Sequence, residues 1–224
     1  MLNGDFRVRL HRLIIMLIAV SATLPACARL PYTTQVVQQE PRVMVTIQHE
    51  VKRTAYTHPA QFSPEDLRTI LGGFSVREKK KIPLRWFAEE VPPQRLFRED
   101  ELDLLLRPLA SAFERVGPEE RVYFRLYMPG PNPNYDRDTT AGWLIFRDPY
   151  LHLELDYFHT LLPVRKIDQY DYNFPLTERT PLSYHLYFEP GRFWVVDPVS
   201  GDRVVDVSGL LKSGTAPRGN PRTE

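Results

Sequence analysis

The chain has 224 residues, 29 basic and 28 acidic side chains, a formal net charge of +1 and 42% hydrophobic residues. Near-neutrality gives no clustered basic face for nucleic acid, and the hydrophobic share sustains a real core in one domain. A single cysteine, Cys27, excludes any disulfide within the chain.

The first twelve residues carry Arg7, Arg9 and Arg12 against one acid, Asp5, and Leu13 to Leu24 then run without a charge. As a helix this uncharged run reaches only about 18 Å. A spanning helix needs roughly 20 residues. A basic start, a short apolar centre and small residues before a cut fit a secretory signal peptide over residues 1–26. Leu24-Pro25-Ala26-Cys27 resembles the lipobox of bacterial lipoproteins. The resemblance implies cleavage between Ala26 and Cys27, a diacylglyceryl group on the Cys27 thiol and acylation of the new N-terminus. Each buried acyl methylene contributes about 0.8 kcal/mol, and two or more chains hold a protein firmly on a bilayer. Ala28, where an aspartate would imply retention in the inner membrane, points by the same resemblance to the outer membrane, or to the cell membrane of a single-membraned cell. Without the leader 26 basic and 27 acidic residues remain, a net charge of −1. Export and neutrality together predict no nucleic-acid partner. They leave the membrane, through lipid on Cys27, and another envelope protein.

Residues 27–41 are polar, with Gln35, Gln38 and Gln39 and no apolar period, and read as the lipidated cysteine followed by a short tether. Fully extended, such a tether spans at most about 45–50 Å. From Arg42 the pattern alternates: Val43, Val45 and Ile47 fall on one face, Met44, Thr46 and Gln48 on the other. That spacing predicts a half-buried strand. A short helix follows, with Ser63 as N-cap, Pro64 at its first position, Asp66 closing a capping box, Phe62 and Leu67 as a hydrophobic staple, and Gly72-Gly73 at its end. Phe74 and Val76 suit a strand. Lys79 to Lys81 read as a solvated turn, and Pro83, Pro92 and Pro93 exclude a long element between them.

Glu99, Asp100 and Glu101 lead the longest helical stripe: Leu102, Leu105, Leu109, Ala112, Phe113 and Val116, stopped by Gly117-Pro118. Pro108 inside it predicts a kink or a split. Strands follow. "RVYFRLYM" alternates, "PGPNPNYDRDTTAG" is a long turn-rich connection, and "GWLIFRDPYLHLELDYF" gives two strands meeting near Asp148-Pro149. A meander runs from Leu182, and residues 213–224 read as a disordered tail. The order predicts a single α+β domain over 42–212: an antiparallel sheet of about five to seven strands with two helices packed on one face.

Catalytic signatures are missing. His49-Glu50 begins like a zinc-protease motif, but Arg53 stands where its second histidine belongs. Neither a nucleophile elbow nor a phosphate-cradling glycine loop occurs, so neither catalytic residues nor a cofactor is assigned. The densest polar cluster is "LHLELDYFH", where His152, Glu154 and Asp156 share one strand face at about 7 Å spacing. An imidazole beside carboxylates is able to bind a metal or move a proton, although the solvent face of an amphipathic strand explains the same pattern. His185 is a candidate to lie across from it. Aromatic residues concentrate between Trp143 and Trp194, where 13 of 26 fall. Tyr157, Tyr170, Tyr172, Phe174 and Tyr187 are the candidate binding surface, since such rings are enriched at interfaces. The leading expectation is a non-enzymatic envelope lipoprotein that docks a protein. A glycan- or lipid-binding module using residues 143–194 and a metal-dependent hydrolase using His152, Glu154 and Asp156 are the alternatives.

Overall fold

The computed structural model describes residues 32–51, 55–78, 92–134, 136–163 and 184–214. Ten strands and three α-helices are described: β1 (Tyr32–Gln39), β2 (Val43–His49), α1 (Pro64–Gly72), β3 (Phe74–Glu78), β4 (Gln94–Arg95), α2 (Glu99–Phe113), β5 (Glu120–Pro129), β6 (Asp136–Arg147), β7 (Tyr150–Pro163), β8 (Tyr184–Phe188), β9 (Trp194–Val196), β10 (Arg203–Asp206) and α3 (Val207–Ser213). The large sheet has the order β1-β2-β5-β6-β7-β10-β9, and a small sheet has the order β4-β3-β8. Every pairing is antiparallel. The α+β class therefore holds, with three helices where two were expected.

One face of the large sheet meets the helices. Val43, Val45 and Ile47 of β2, Val122, Phe124 and Leu126 of β5, and Leu151, Leu153 and Leu155 of β7 alternate onto that face, as the period of two requires. They form one buried cluster with Leu67, Ile70 and Leu71 of α1, Leu102, Leu105, Leu109 and Phe113 of α2, and Val207 and Leu210 of α3. Phe74 and Phe188 carry the small sheet into the same core, with ring centroids 5.1 Å apart.

The helix starts follow their local chemistry. Ser63 accepts a hydrogen bond from the Asp66 N–H through its side chain, and the Asp66 carboxylate accepts from the Ser63 N–H, so the capping box of α1 is complete. Gly73 caps its C-terminus. A Cβ there would lie 2.6 Å from the Phe188 ring, so this glycine permits helix and small sheet to touch.

Several expectations are corrected. The stretch read as tether contains β1, an edge strand paired antiparallel with β2 through two register shifts. An edge strand has one neighbour and buries little, so its threonines and glutamines leave no alternating apolar signal. Pro108 does not divide its helix: α2 is continuous from Glu99 to Phe113, with Pro108 buried inside it. The long connection after β5 shortens, because Asp136 to Gly142 already belong to β6. The end of the expected meander includes α3, whose Asp206 N-cap accepts from the Gly209 N–H. Its one short turn pair is too brief to show a helical period. The leader with Ala26 and Cys27, the run Lys79–Lys81, and residues 215–224 of the tail lie outside the described residues. Among the described residues no helix is long and apolar enough to cross a membrane.

Candidate binding face

The other face of the large sheet is where the polar halves of the alternating strands converge. Register places their side chains in cross-strand rows. One row is Thr46, Tyr123, Trp143 and Glu154; the next is Met44, Arg125, Ala141 and Tyr157; beyond it Tyr127 pairs with Thr139. These positions read as a solvent face in the sequence. Instead Thr46, Gln48, Arg121, Tyr123 and Trp143 are all 3% exposed or less. Tyr123, Ala141 and Trp143 form a second buried cluster with Met44 and Tyr157 against it, and among the described residues no helix contributes to it. Central strands hold wide rings side by side, and the rings cover the shorter threonine and glutamine between them.

Cations and rings alternate across this face. The Arg121 guanidinium lies 4.5 Å from the Trp143 ring centroid and 3.4 Å from Glu50. Trp143 Nε1–H donates to Gln48 Oε1 at 2.9 Å, and its ring lies 5.1 Å from Tyr123. Arg125 lies 5.4 Å from the Tyr123 ring centroid and donates to the Tyr123 hydroxyl from Nε at 3.1 Å and Nη2 at 2.7 Å. Its Nη1 reaches the Tyr127 hydroxyl at 3.5 Å. Arg137 sits 5.4 Å from the Tyr127 ring. Burial raises the Tyr123 pKa well above the ordinary phenol value, so its hydroxyl stays protonated and faces Asp156 Oδ2 at 3.5 Å. Stacked guanidinium–ring pairs of this kind are a recognition device for planar anions and for polypeptide side chains.

The sequence candidates divide among three places. Tyr157 belongs to this face. Tyr187 lies on the small sheet, where Arg77 donates to its hydroxyl at 2.6 Å. Tyr170, Tyr172 and Phe174 lie outside the described residues. His152, Glu154 and Asp156 come from one strand but have separate surroundings. The His152 Nε2 lies 3.3 Å from Asp197, which also takes Arg147 at 3.1 Å, the Ser200 hydroxyl and the Val199 N–H. Those partners hold the Asp197 carboxyl below its ordinary pKa, while burial lowers that of His152. Asp156 is the extra residue of a β-bulge opposite Ala141 and Gly142, which displaces it from simple alternation. Among the described residues no group of three or more such side chains is placed to hold a metal ion. His185 pairs with Arg77 of β3, not with β7.

A second polar cluster, missed in the sequence, ties α2 to the sheet. His159 has φ of +42°, a left-handed conformation rare outside glycine. Its Nδ1 lies 2.9 Å from Asp138, whose carboxylate also meets Arg98 at 3.4 Å. Glu101, with no exposed side-chain surface, accepts from the Arg98 N–H at 2.8 Å. Burial raises its pKa, against the pull of the Arg98 N–H, His159 and the Arg98 side chain. Two bulges in β7 turn His159 toward α2, a feature of register that no local motif announces.

The fold and this face define an α+β domain whose sheet carries helices on one side and a cation–aromatic array on the other. Comparison with known proteins finds no matching family model, curated protein or solved structure.

Proposed function

We propose that the chain is a non-enzymatic docking module, exported and carried on the outer membrane by lipid on Cys27, which meets another envelope protein through the helix-free face of its large sheet. The observation that carries the reading is the array in which the partly exposed Arg125, Tyr127 and Arg137 stand beside the buried Arg121, Trp143 and Tyr123, and to which no helix contributes among the described residues. Arginine and aromatic residues are the types enriched at protein interfaces. The lipobox resemblance supplies the location. Because β1 starts at Tyr32, only four residues separate it from Cys27.

The test has two parts. Intact mass of membrane-extracted protein is expected to show a chain starting at Cys27 with added acyl mass; a full-length unmodified chain removes the anchor. Cross-linking in intact cells, followed by purification of the tagged chain, is expected to yield one abundant envelope protein. A chain that stays uncross-linked contradicts docking.

A further inference from the structure

We propose that the part of this face around Tyr127 is an acidic-residue receptor: Arg125 and Arg137 receive carboxylates of an acidic segment of the partner protein. The inference rests on the docking reading and adds the chemistry of the partner.

The arginines on this face differ in one respect. Arg121 has Glu50 at 3.4 Å and Arg147 has Asp197 at 3.1 Å. Arg125 and Arg137, both half-buried, have no carboxylate partner among the described residues; their contacts are the rings and hydroxyls of Tyr123 and Tyr127. A guanidinium partly withdrawn from water and held only by neutral groups is stabilised strongly when a carboxylate arrives, since charge-assisted bidentate pairs are the strong ones. One N–H on each terminal nitrogen of Arg125 remains after its tyrosine bonds. Tyr127, stacked beneath Arg137 and bonded to Arg125, spaces the two cations along one side of the face.

Other groups point the same way. Thr46 Oγ1 and Arg121 Nε are buried without a hydrogen-bond partner, in residues 2% and 3% exposed. Thr46 stands in the row next to Arg125, and Arg121 one row further, opposite Gln48. A buried polar atom left unpaired is unfavourable, and an arriving polar group relieves that cost. The acids of the face, Glu154 and Asp156, stand on β7, and Glu50 lies beside Arg121. Glu154, opposite Trp143, and Glu50 repel a carboxylate at the Trp143 end, while Asp156 meets the Tyr123 hydroxyl that Arg125 also bonds, so the Arg137 side of Tyr127 is the less acidic one. Extended strands with rings between cations suit a polypeptide, whose alternating acidic and apolar side chains meet cation and ring in turn.

The experiment is equilibrium binding of a labelled hexaglutamate peptide to the full chain in detergent, with inorganic phosphate as competitor and hexalysine as the opposite-sign control. Binding is expected to weaken with salt and to fall about tenfold in Arg125→Gln and again in Arg137→Gln. Arg115→Gln removes an exposed arginine elsewhere and the same unit of charge, and it is expected to bind as the unaltered chain does. Arg125→Lys keeps the charge but not the fork, and should recover only part of the loss. Arg137→Gln keeps the test valid should Arg125→Gln fold poorly. No binding, equal loss in Arg115→Gln, or displacement by millimolar phosphate at fixed ionic strength overturns the proposal; the last result means a free-anion site. A protein cross-linked through this face while hexaglutamate fails to bind retains docking and removes only the acidic receptor.

Discussion

His58 shows how one buried side chain joins three parts of the chain. Its Nε2 accepts the Phe146 N–H at 2.9 Å, so its Nδ1 carries the hydrogen and donates to the Glu120 carbonyl at 2.9 Å. The neutral ring satisfies all three; a charged ring has no acceptor left for the Phe146 N–H. Burial accordingly lowers its pKa from the ordinary 6.5, against the backbone carbonyls of Glu120 and Gly117. The unfolded chain binds this proton more readily than the folded one. Stability from His58 is therefore complete above about pH 6.5 and is lost as pH falls toward the lowered folded value. Replacing His58 by alanine is expected to destabilise by about 3 kcal/mol and to reduce the acid slope, read from urea unfolding between pH 5 and 8. Glu101 has the opposite sign. Its raised folded pKa means that its contribution is greatest when protonated, below the ordinary carboxylate range, and is lost as pH rises through the folded value. Glu101→Gln retains an acceptor for the Arg98 N–H and should flatten that loss; a slope unchanged from the parent chain would contradict the assignment.

Elements differ in how far the sequence announces them. The first helix is written in its own residues: serine, proline, aspartate and the leucine–isoleucine face act within a turn of one another, so no distant contact is needed to read them. Ser63→Ala is expected to cost about 1 kcal/mol, measured by thermal unfolding. The α2 stripe is equally local, and burial of its apolar face against the sheet outweighs the single donor lost at Pro108. Edge strand β1 escapes reading because its stability comes from β2, not from its own pattern. The same holds for the bulges in β7, which exist only against β6. Gly142 sits at one of them, and a Cβ there would collide with the Glu154 carbonyl of the neighbouring strand. Gly142→Ala should destabilise by about 2 kcal/mol and disturb the register of Trp143 and Tyr157. Loss of near-ultraviolet circular dichroism from those rings is the measurement.

At the scale of the whole molecule the sheet separates two roles. Apolar residues of each strand meet the helices and hold the fold; the alternate residues meet one another and form the proposed docking face. Alternation made the first role legible. The second was not, because polar residues in a strand read as solvent-facing until their neighbours on the adjoining strands are known. The aromatic concentration from Trp143 onward takes in Trp143 and Tyr157 of this face, but it omits Tyr123 and Tyr127, which precede it in sequence and join it only through β5–β6 pairing. Tyr187 entered by composition and falls on the other sheet.

The central claim is that this protein meets its partner through the helix-free face. A photoreactive amino acid placed at Tyr127, and in a second strain at the exposed Glu65 of α1, tests it in intact cells. The account predicts one cross-linked envelope protein from position 127, weakened by Arg125→Gln, and none from position 65. Equal capture from both positions, or capture from position 65 alone, would contradict it.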